Sequence, residues 1–244
     1  MFLVRNKTSD GSFSSKNDEV YHANFSTLPC KKGVRKNVYN GVLRGTGDKK
    51  GDKVLVKAFK SKETTEELCT KELERYKQAK SLGRTFNKLV PSPSNKVEFN
   101  VLLAVPVEKV AFTNCVRRSK NKVTAKEWVI IEENLGMDFK DFIQKDGTSV
   151  LIDPTSLDAF VHYSYHKSGG KLVIVGLRGV ESETDNGYKL TCPVIHSYAQ
   201  TFGDTDRGEE GIRKAFEHHR CTNMCYAMDR PQVKLSDNLK ANET

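Results

Sequence analysis

His219-x-Cys221-x-x-x-Cys225 gathers one imidazole and two thiols into a short stretch near the C-terminus. These are the soft donors that hold a tetrahedral zinc ion. Cysteines four apart fall on one side of a helical turn, so both thiols can face the same point. A fourth donor has to come from elsewhere, and the exposed candidate is His196 in Pro193-Val194-Ile195-His196-Ser197. Four protein donors would make a closed, structural site, whereas three with an open position could be catalytic. Spacing alone leaves two readings open, an ion site or buried cysteines that hold nothing. The remaining cysteines, Cys30, Cys69, Cys115 and Cys192, are scattered and read as small buried hydrophobes.

The preceding segment says which of two adjacent histidines can join such a site. Asp206 and Glu209 have capping-box spacing, which predicts a helix running from Asp206 to His218. Its apolar face carries Ile212, Ala215 and Phe216, and the next position on that face is His219. His218 lies about 100° around the helix and faces elsewhere.

The elements that must position these groups fall into two halves. Residues 1–24 are polar and read as a flexible N-terminal arm. Val38–Leu43 and Val54–Phe59 are strand-like and are joined by the turn Gly47-Asp48-Lys49-Lys50-Gly51. Thr64 to Leu82 reads as a helix with Leu68, Leu73, Tyr76 and Ala79 on its apolar face and Gly83 as its stop. After Pro91 and Pro93 come two apolar stretches, Val97–Val107 and Trp128–Glu132, separated by a basic insertion. Past Asn134-Leu135-Gly136 the texture becomes helix (Leu157–His166), strand (Lys171–Val175) and the helix that precedes His219. The expected organisation is α+β: a β-rich lobe with one long helix over 25–133, a mixed lobe over 134–230, and a disordered tail over 231–244.

Composition narrows the class. Of 244 residues, 37% are hydrophobic and 29% charged, the balance of an ordinary globular chain. No apolar run approaches the roughly 18–20 residues of a membrane span, and Met1–Asn6 is too short an apolar start for a signal peptide. An intracellular, cytoplasmic location follows as the expectation, with reduced cysteines and with Asn6, Asn24 and Asn242 unglycosylated. The net charge of +9 suits a polyanionic partner. Its two basic stretches, Lys31–Lys53 and Arg117–Lys122, do not interleave aromatics with cations. That pattern reads against nucleic acid and for a solvated surface or a phosphate cleft.

One family unites these features. Ser168-Gly169-Gly170-Lys171-Leu172-Val173-Ile174-Val175, then Leu177-x-Gly179-Val180, Tyr188-x-Leu190-Thr191-x-Pro193, Phe202-Gly203-Asp204-Thr205, Gly208, Gly211 and the His-Cys-Cys run resemble the atypical α-kinases. Weaker matches upstream are Gly33-x-x-Lys36 with Arg35, Val56-Lys57-x-Phe59, and Glu132-Glu133-x-Leu135. The resemblance implies a two-lobed protein-kinase-like fold with nucleotide in the cleft and a structural zinc held by His196, His219, Cys221 and Cys225. It implies that Lys57, helped by Arg35, contacts the phosphates of ATP or another nucleotide, as a strand lysine does in kinases. It also places Glu132 and Glu133 at the adenine-holding hinge.

Three family positions are altered. Where the pattern implies a catalytic aspartate stands Gly176, and where it implies metal ligands stand Arg178 and Cys192. Asp141 replaces a lysine after the hinge and Arg207 a leucine. Magnesium wants hard oxygen ligands, which glycine, arginine and cysteine do not offer. The expected function is therefore a pseudokinase, a nucleotide-binding or scaffold module with a protein partner and little use for magnesium. The alternative is an active serine/threonine kinase that recruits Glu181, Glu183, Asp185 or Asp204. Arg178 could fork onto phosphate in place of the metal, or fill the cleft while paired with Glu181.

Overall fold

The computed structural model describes residues 2–7, 20–26, 28–45, 49–61, 64–90, 96–100, 102–110, 123–124, 127–181, 187–217 and 219–231. The first half is built on antiparallel strands β1 (Phe2–Lys7), β2 (Val20–Phe25), β3 (Lys31–Lys32), β4 (Lys36–Gly45), β5 (Lys53–Phe59), β7 (Leu102–Val110) and β8 (Trp128–Glu133). They run in the order β2-β1-β7-β8-β5-β4-β3, and β2 also pairs with β4. Six of the strands therefore close into a barrel. Alternation along the strands sends Tyr39, Leu43, Val54, Val56, Ala58, Leu103, Val105, Val129 and Ile131 inward to one apolar core. The opposite face of β5 carries Leu55 and Lys57.

Residues 2–7 and 20–25, expected within a flexible arm, supply β1 and β2 instead. Barrel closure uses them to satisfy backbone groups that β4 and β7 would otherwise leave open.

Helix α1 (Thr65–Phe86) runs past Gly83, the expected stop. A Cβ at Gly83 would sit 3.2 Å from the Val97 carbonyl and 3.4 Å from the Phe99 ring, so the glycine marks a close approach inside the helix. The chain leaves the helix at Asn87, whose carboxamide donates to the Val97 carbonyl (3.0 Å) and accepts from the Val97 amide (2.8 Å). The apolar stretch expected over Val97–Val107 also divides. Its first part, β6 (Val97–Phe99), lies parallel to β12 (Tyr188–Leu190) in a second sheet with β11 (Arg178–Glu181) and β9 (Lys140–Asp141), ordered β6-β12-β11-β9. Buried Asn100 makes the break, giving its amide to Leu190 and its side chain to the Glu133 carbonyl (2.8 Å).

That second sheet lies beside the two-stranded pair β10 (Leu172–Val175) and β13 (Val194–Ser197). Helix α2 (Ser156–Lys167) starts at a capping box in which Thr155 and Asp158 exchange bonds, and it is buried over Ser156–Tyr165. Phe86 of α1 meets Phe160 and Tyr163 of α2 at ring distances of 5.5 and 5.3 Å, so one core spans both halves. Helix α3 covers Gly208–Glu217 rather than starting at Asp206, and a single 3-10 turn follows at Asn223–Cys225. No helix of the described residues is long and apolar enough to cross a membrane.

Asn87→Ala would leave both polar groups of buried Val97 without partners. The expected cost is about 1–3 kcal/mol of unfolding free energy, read as a lower midpoint in urea with an unchanged slope.

Candidate nucleotide cleft and metal cluster

Lys57 on β5 lies opposite Ile130 of β8, and Glu132 lies opposite Leu55. Lys57 and Glu132 are therefore diagonal neighbours on one sheet face. Their side chains form an ion pair in which Glu132 is 2% exposed and its second oxygen, Oε2, has no partner. Half-buried Val38, Val42 and Leu55 share this face, a flat apolar surface beside a buried acceptor. Glu133 belongs to the opposite face by strand alternation, and Lys189 of β12 holds it at 2.6 Å. Of the two glutamates expected at the hinge, the fold thus turns one to Lys57 and the other away from it.

Glu72 lies beneath, on the buried side of α1. Burial works to raise its carboxyl, but Lys36 at 2.5 Å and Arg75 at 3.4 Å more than offset that and keep it below the usual carboxylate range. Arg75 also donates to Thr205 Oγ1 at 2.8 Å, and Arg35 pairs with Asp204 at 2.7 Å. Sequence reasoning missed Glu72 and Arg75, although a signal existed. Positions 69, 72, 76 and 79 form one helical stripe, and a charged residue among Cys69, Tyr76 and Ala79 marks a buried ion pair.

The three altered positions are each spoken for. Gly176 has φ +64° and gives its amide to the Gln144 carbonyl at 3.0 Å. A Cβ there would meet the Val194 side chain at 3.1 Å, so a larger residue is strained both in conformation and in space. The Cys192 thiol lies against the Glu72 carbonyl at 3.5 Å, and burial pushes it up to about 12, so it stays protonated. Arg178 reaches Asp141 at 3.6 Å and lies over the Phe139 ring at 5.9 Å. It neither pairs with Glu181, which faces Lys140 at 3.8 Å, nor fills the cleft, because its side chain is 44% exposed. The changes at 141 and 178 have made a pair with each other.

A histidine–cysteine cluster that could hold a metal ion assembles around α2. Donor atoms of His162, His219, Cys221 and Cys225 all lie within 4.8 Å of one another. Cys221 Sγ is 3.7 Å from His162 Nδ1, and Cys225 Sγ is 3.8 Å from His219 Nε2. A tetrahedron with bonds of about 2.0–2.3 Å has edges near 3.6 Å, so these donors are spaced to close on one zinc ion. His162 Nε2 donates to the Asp229 carbonyl at 3.0 Å, which leaves Nδ1 free to face the thiols. Burial, helped by the neighbouring His162 and Arg230, lowers His219 to about 4 and so keeps it neutral. Burial also lowers His162 and raises Cys225.

Three of the four expected metal ligands meet here; His196 does not. It is buried on β13 and spends both ring nitrogens elsewhere: Nε2 donates to the Lys145 carbonyl at 2.9 Å, and Nδ1 accepts from the Arg207 amide at 3.1 Å. His162 takes its place. No sequence signal singled it out, because a helix buried on every side has no polar face against which an inward histidine stands out. The inward face expected for His219 holds, since its ring packs on Phe216 and His162 at 5.6 and 4.9 Å. His218 lies outside the described residues, as do Cys115, Glu183 and Asp185. Cys30, read as buried, is exposed.

A sequence model of the Alpha-kinase family matches residues 31–225. The chain belongs to the alpha-kinase family. It is 30% identical over 182 residues to alpha-protein kinase 1 of Dictyostelium discoideum, covering 74% of this chain and 12% of that protein. It is 25% identical over 179 residues to transient receptor potential cation channel subfamily M member 6 of Mus musculus, covering 70% and 8%. The chain thus spans about a tenth of the length of these relatives. Among solved structures, an alpha kinase from Entamoeba histolytica superposes with a TM-score of 0.72 at 20% identity, over 95% of this chain and 91% of that one. The alpha-kinase domain of myosin-II heavy chain kinase A in complex with AMP-PNP gives 0.67 at 20% identity, over 87% and 90%. The two-lobed α+β alpha-kinase fold is therefore the fold of this chain.

If the cluster holds zinc, elemental analysis should find about one zinc per chain. His162→Ala or Cys221→Ser should abolish it, while His196→Gln should keep the metal but lower thermal stability. In metal-free protein, His219 is depressed from 6.5 to about 4. The unfolded chain therefore takes up a proton that the folded one refuses, and the melting temperature should fall as pH drops from about 6.5 towards 4.

Proposed function

We propose that this alpha-kinase domain is a pseudokinase, a nucleotide-binding module that has given up magnesium-dependent phosphoryl transfer. One observation carries the reading. Around the cleft, Glu72 is held by Lys36 and Arg75, Glu132 by Lys57, Glu133 by Lys189, Asp141 by Arg178, Glu181 by Lys140 and Asp204 by Arg35. Asp206 is spent on the amides of Ser197, Phe202 and Gly208 and on the Ser197 hydroxyl. Among the described residues, the group of three or more side chains fit to hold a metal is the histidine–cysteine cluster.

Phosphoryl transfer runs on positioning and on metal ions that neutralise the phosphates. A catalytic aspartate and two metal ligands each contribute typically 10²-fold or more. Glycine, arginine and a protonated thiol supply none of this, and of the acids that could substitute, the two among the described residues, Glu181 and Asp204, are each matched by a cation.

Nucleotide binding is the retained half. The apolar face of Val38, Val42 and Leu55 suits a planar base, and the unpartnered Glu132 oxygen suits an exocyclic amino group beside it. Lys57 and Arg35 suit the phosphates. Myosin-II heavy chain kinase A, which shares the fold, is known in complexes with AMP-PNP and with ADP. Zinc at His162, His219, Cys221 and Cys225 is structural in this reading, because four protein donors leave no open position. A cytoplasmic location and a protein partner complete it.

Calorimetry with ATP, in magnesium and in EDTA, tests the proposal together with a radiolabel transfer assay. ATP should bind with similar affinity in both buffers. Lys57→Ala should weaken binding about tenfold or more, the worth of a charged hydrogen bond, and transfer should stay at background. Magnesium-dependent transfer abolished by Lys57→Ala would sink the proposal and establish an active kinase with substitute carboxylates.

A further inference from the structure

The loop Phe202–Arg207 is gripped at two successive residues by arginines from the first half of the chain. Arg75 donates to Thr205 Oγ1 (2.8 Å) and Arg35 pairs with Asp204 (2.7 Å). Asp206 fixes the far end of the loop to β13 and to the start of α3 through four hydrogen bonds. The Arg35 side is equally well held. It sits in the turn between β3 and β4, where Gly33 N–H donates to the Lys36 carbonyl and Lys60 N–H to that of Arg35, each at 2.9 Å. Two firm supports thus present one carboxylate to one guanidinium between the β3–β4 turn and the 202–207 loop.

The four cations Lys36, Arg75, Lys57 and Arg35 differ in what holds them. The acids opposite the first three, Glu72 and Glu132, are buried, and removing either partner would leave an uncompensated charge. Asp204 is 71% exposed, so water can take over its carboxylate when Arg35 leaves. Arg35 is the member of this set that an incoming anion can take over entirely without stranding a buried charge, whereas Lys57 meets the phosphates while still paired with Glu132. A carboxylate and a phosphate group offer a guanidinium the same fork of two oxygens.

We propose that Asp204 is an internal stand-in for a nucleotide phosphate: it occupies Arg35 and ties the two halves together until a polyphosphate displaces it. The proposal rests on the nucleotide-binding reading above and adds a regulator to that site. Because the pair is exposed, its contribution is modest, about 0.2–1 kcal/mol, and the latch biases binding rather than forbidding it.

Calorimetric titration with ATP in EDTA tests this on four proteins: the parent chain, Asp204→Asn, Arg35→Ala and the double variant. Asp204→Asn should tighten ATP by up to about fivefold in the parent and change nothing when Arg35 is already alanine. Asp204→Ser should repeat the gain. Equal tightening in both backgrounds would mean general charge repulsion and would overturn the latch. Unchanged or weaker binding by Asp204→Asn, with the parent still binding ATP, would overturn it while leaving the nucleotide reading intact. If neither the parent nor Asp204→Asn binds ATP, the nucleotide reading fails and the latch fails with it.

Discussion

The buried carboxylate of Glu72 is the group on which the cleft depends. A charge on the inner face of a helix is costly unless it is paired and hydrogen-bonded, and this one is matched by Lys36 from β4 and Arg75 from the next turn of α1. Arg75, held there, can reach Thr205, while the Glu72 carbonyl receives the Cys192 thiol. A single turn of α1 therefore ties together the first long strand, the 202–207 loop and the turn before β13. Phe86, about three turns beyond Arg75 on the same helix, carries the apolar counterpart of that tie to Phe160 and Tyr163.

Such a centre shows how the fold accommodates glycine, arginine and cysteine at positions 176, 178 and 192. Removing an aspartate from a cationic cleft would ordinarily leave repelling cations behind. Among the described residues, Glu72 is shared by Lys36 and Arg75, while Glu132, Asp141, Glu181 and Asp204 each meet one lysine or arginine. Arg178 is balanced by Asp141, itself a departure from the family pattern, and stacks on Phe139. Cys192, neutral at any ordinary pH, needs no counter-charge. Reversing one change alone would reopen an imbalance. At Gly176 it would also force a side chain into a left-handed backbone position against Val194.

The histidine–cysteine cluster and the His196 network show two buried imidazoles used in opposite ways. His196 consumes both nitrogens in joining Lys145, β13 and the entry to α3, which makes it a structural cross-link. His162 consumes one nitrogen on the Asp229 carbonyl and thereby aims the other at Cys221. Asp229 reinforces the arrangement by pairing its carboxylate with His166 at 2.9 Å. The backbone just beyond the cysteines thus orients the histidine that the cysteines need.

The sequence by itself determined the family, the main helices and the hairpin strands β4 and β5, and the inward face of His219. Motif spacing and short-range periodicity are local properties that survive in the order of residues. It also determined that Gly176, Arg178 and Cys192 cannot bind magnesium, since that follows from side-chain chemistry alone. Tertiary structure decided the rest. Whether His162 or His196 meets the cysteines depends on where α2 passes, and α2 is buried on every side, polar residues included, so no one face is set apart. Gly83 looked like a stop because a glycine that admits a neighbouring strand and one that ends a helix are the same residue on paper. Residues 2–7 and 20–25 looked like a loose arm because their stability comes from strands far along the chain. Which acid neutralises which cation is set by distances of a few ångströms between residues up to about 170 positions apart, as for Arg35 and Asp204. No local pattern encodes that pairing.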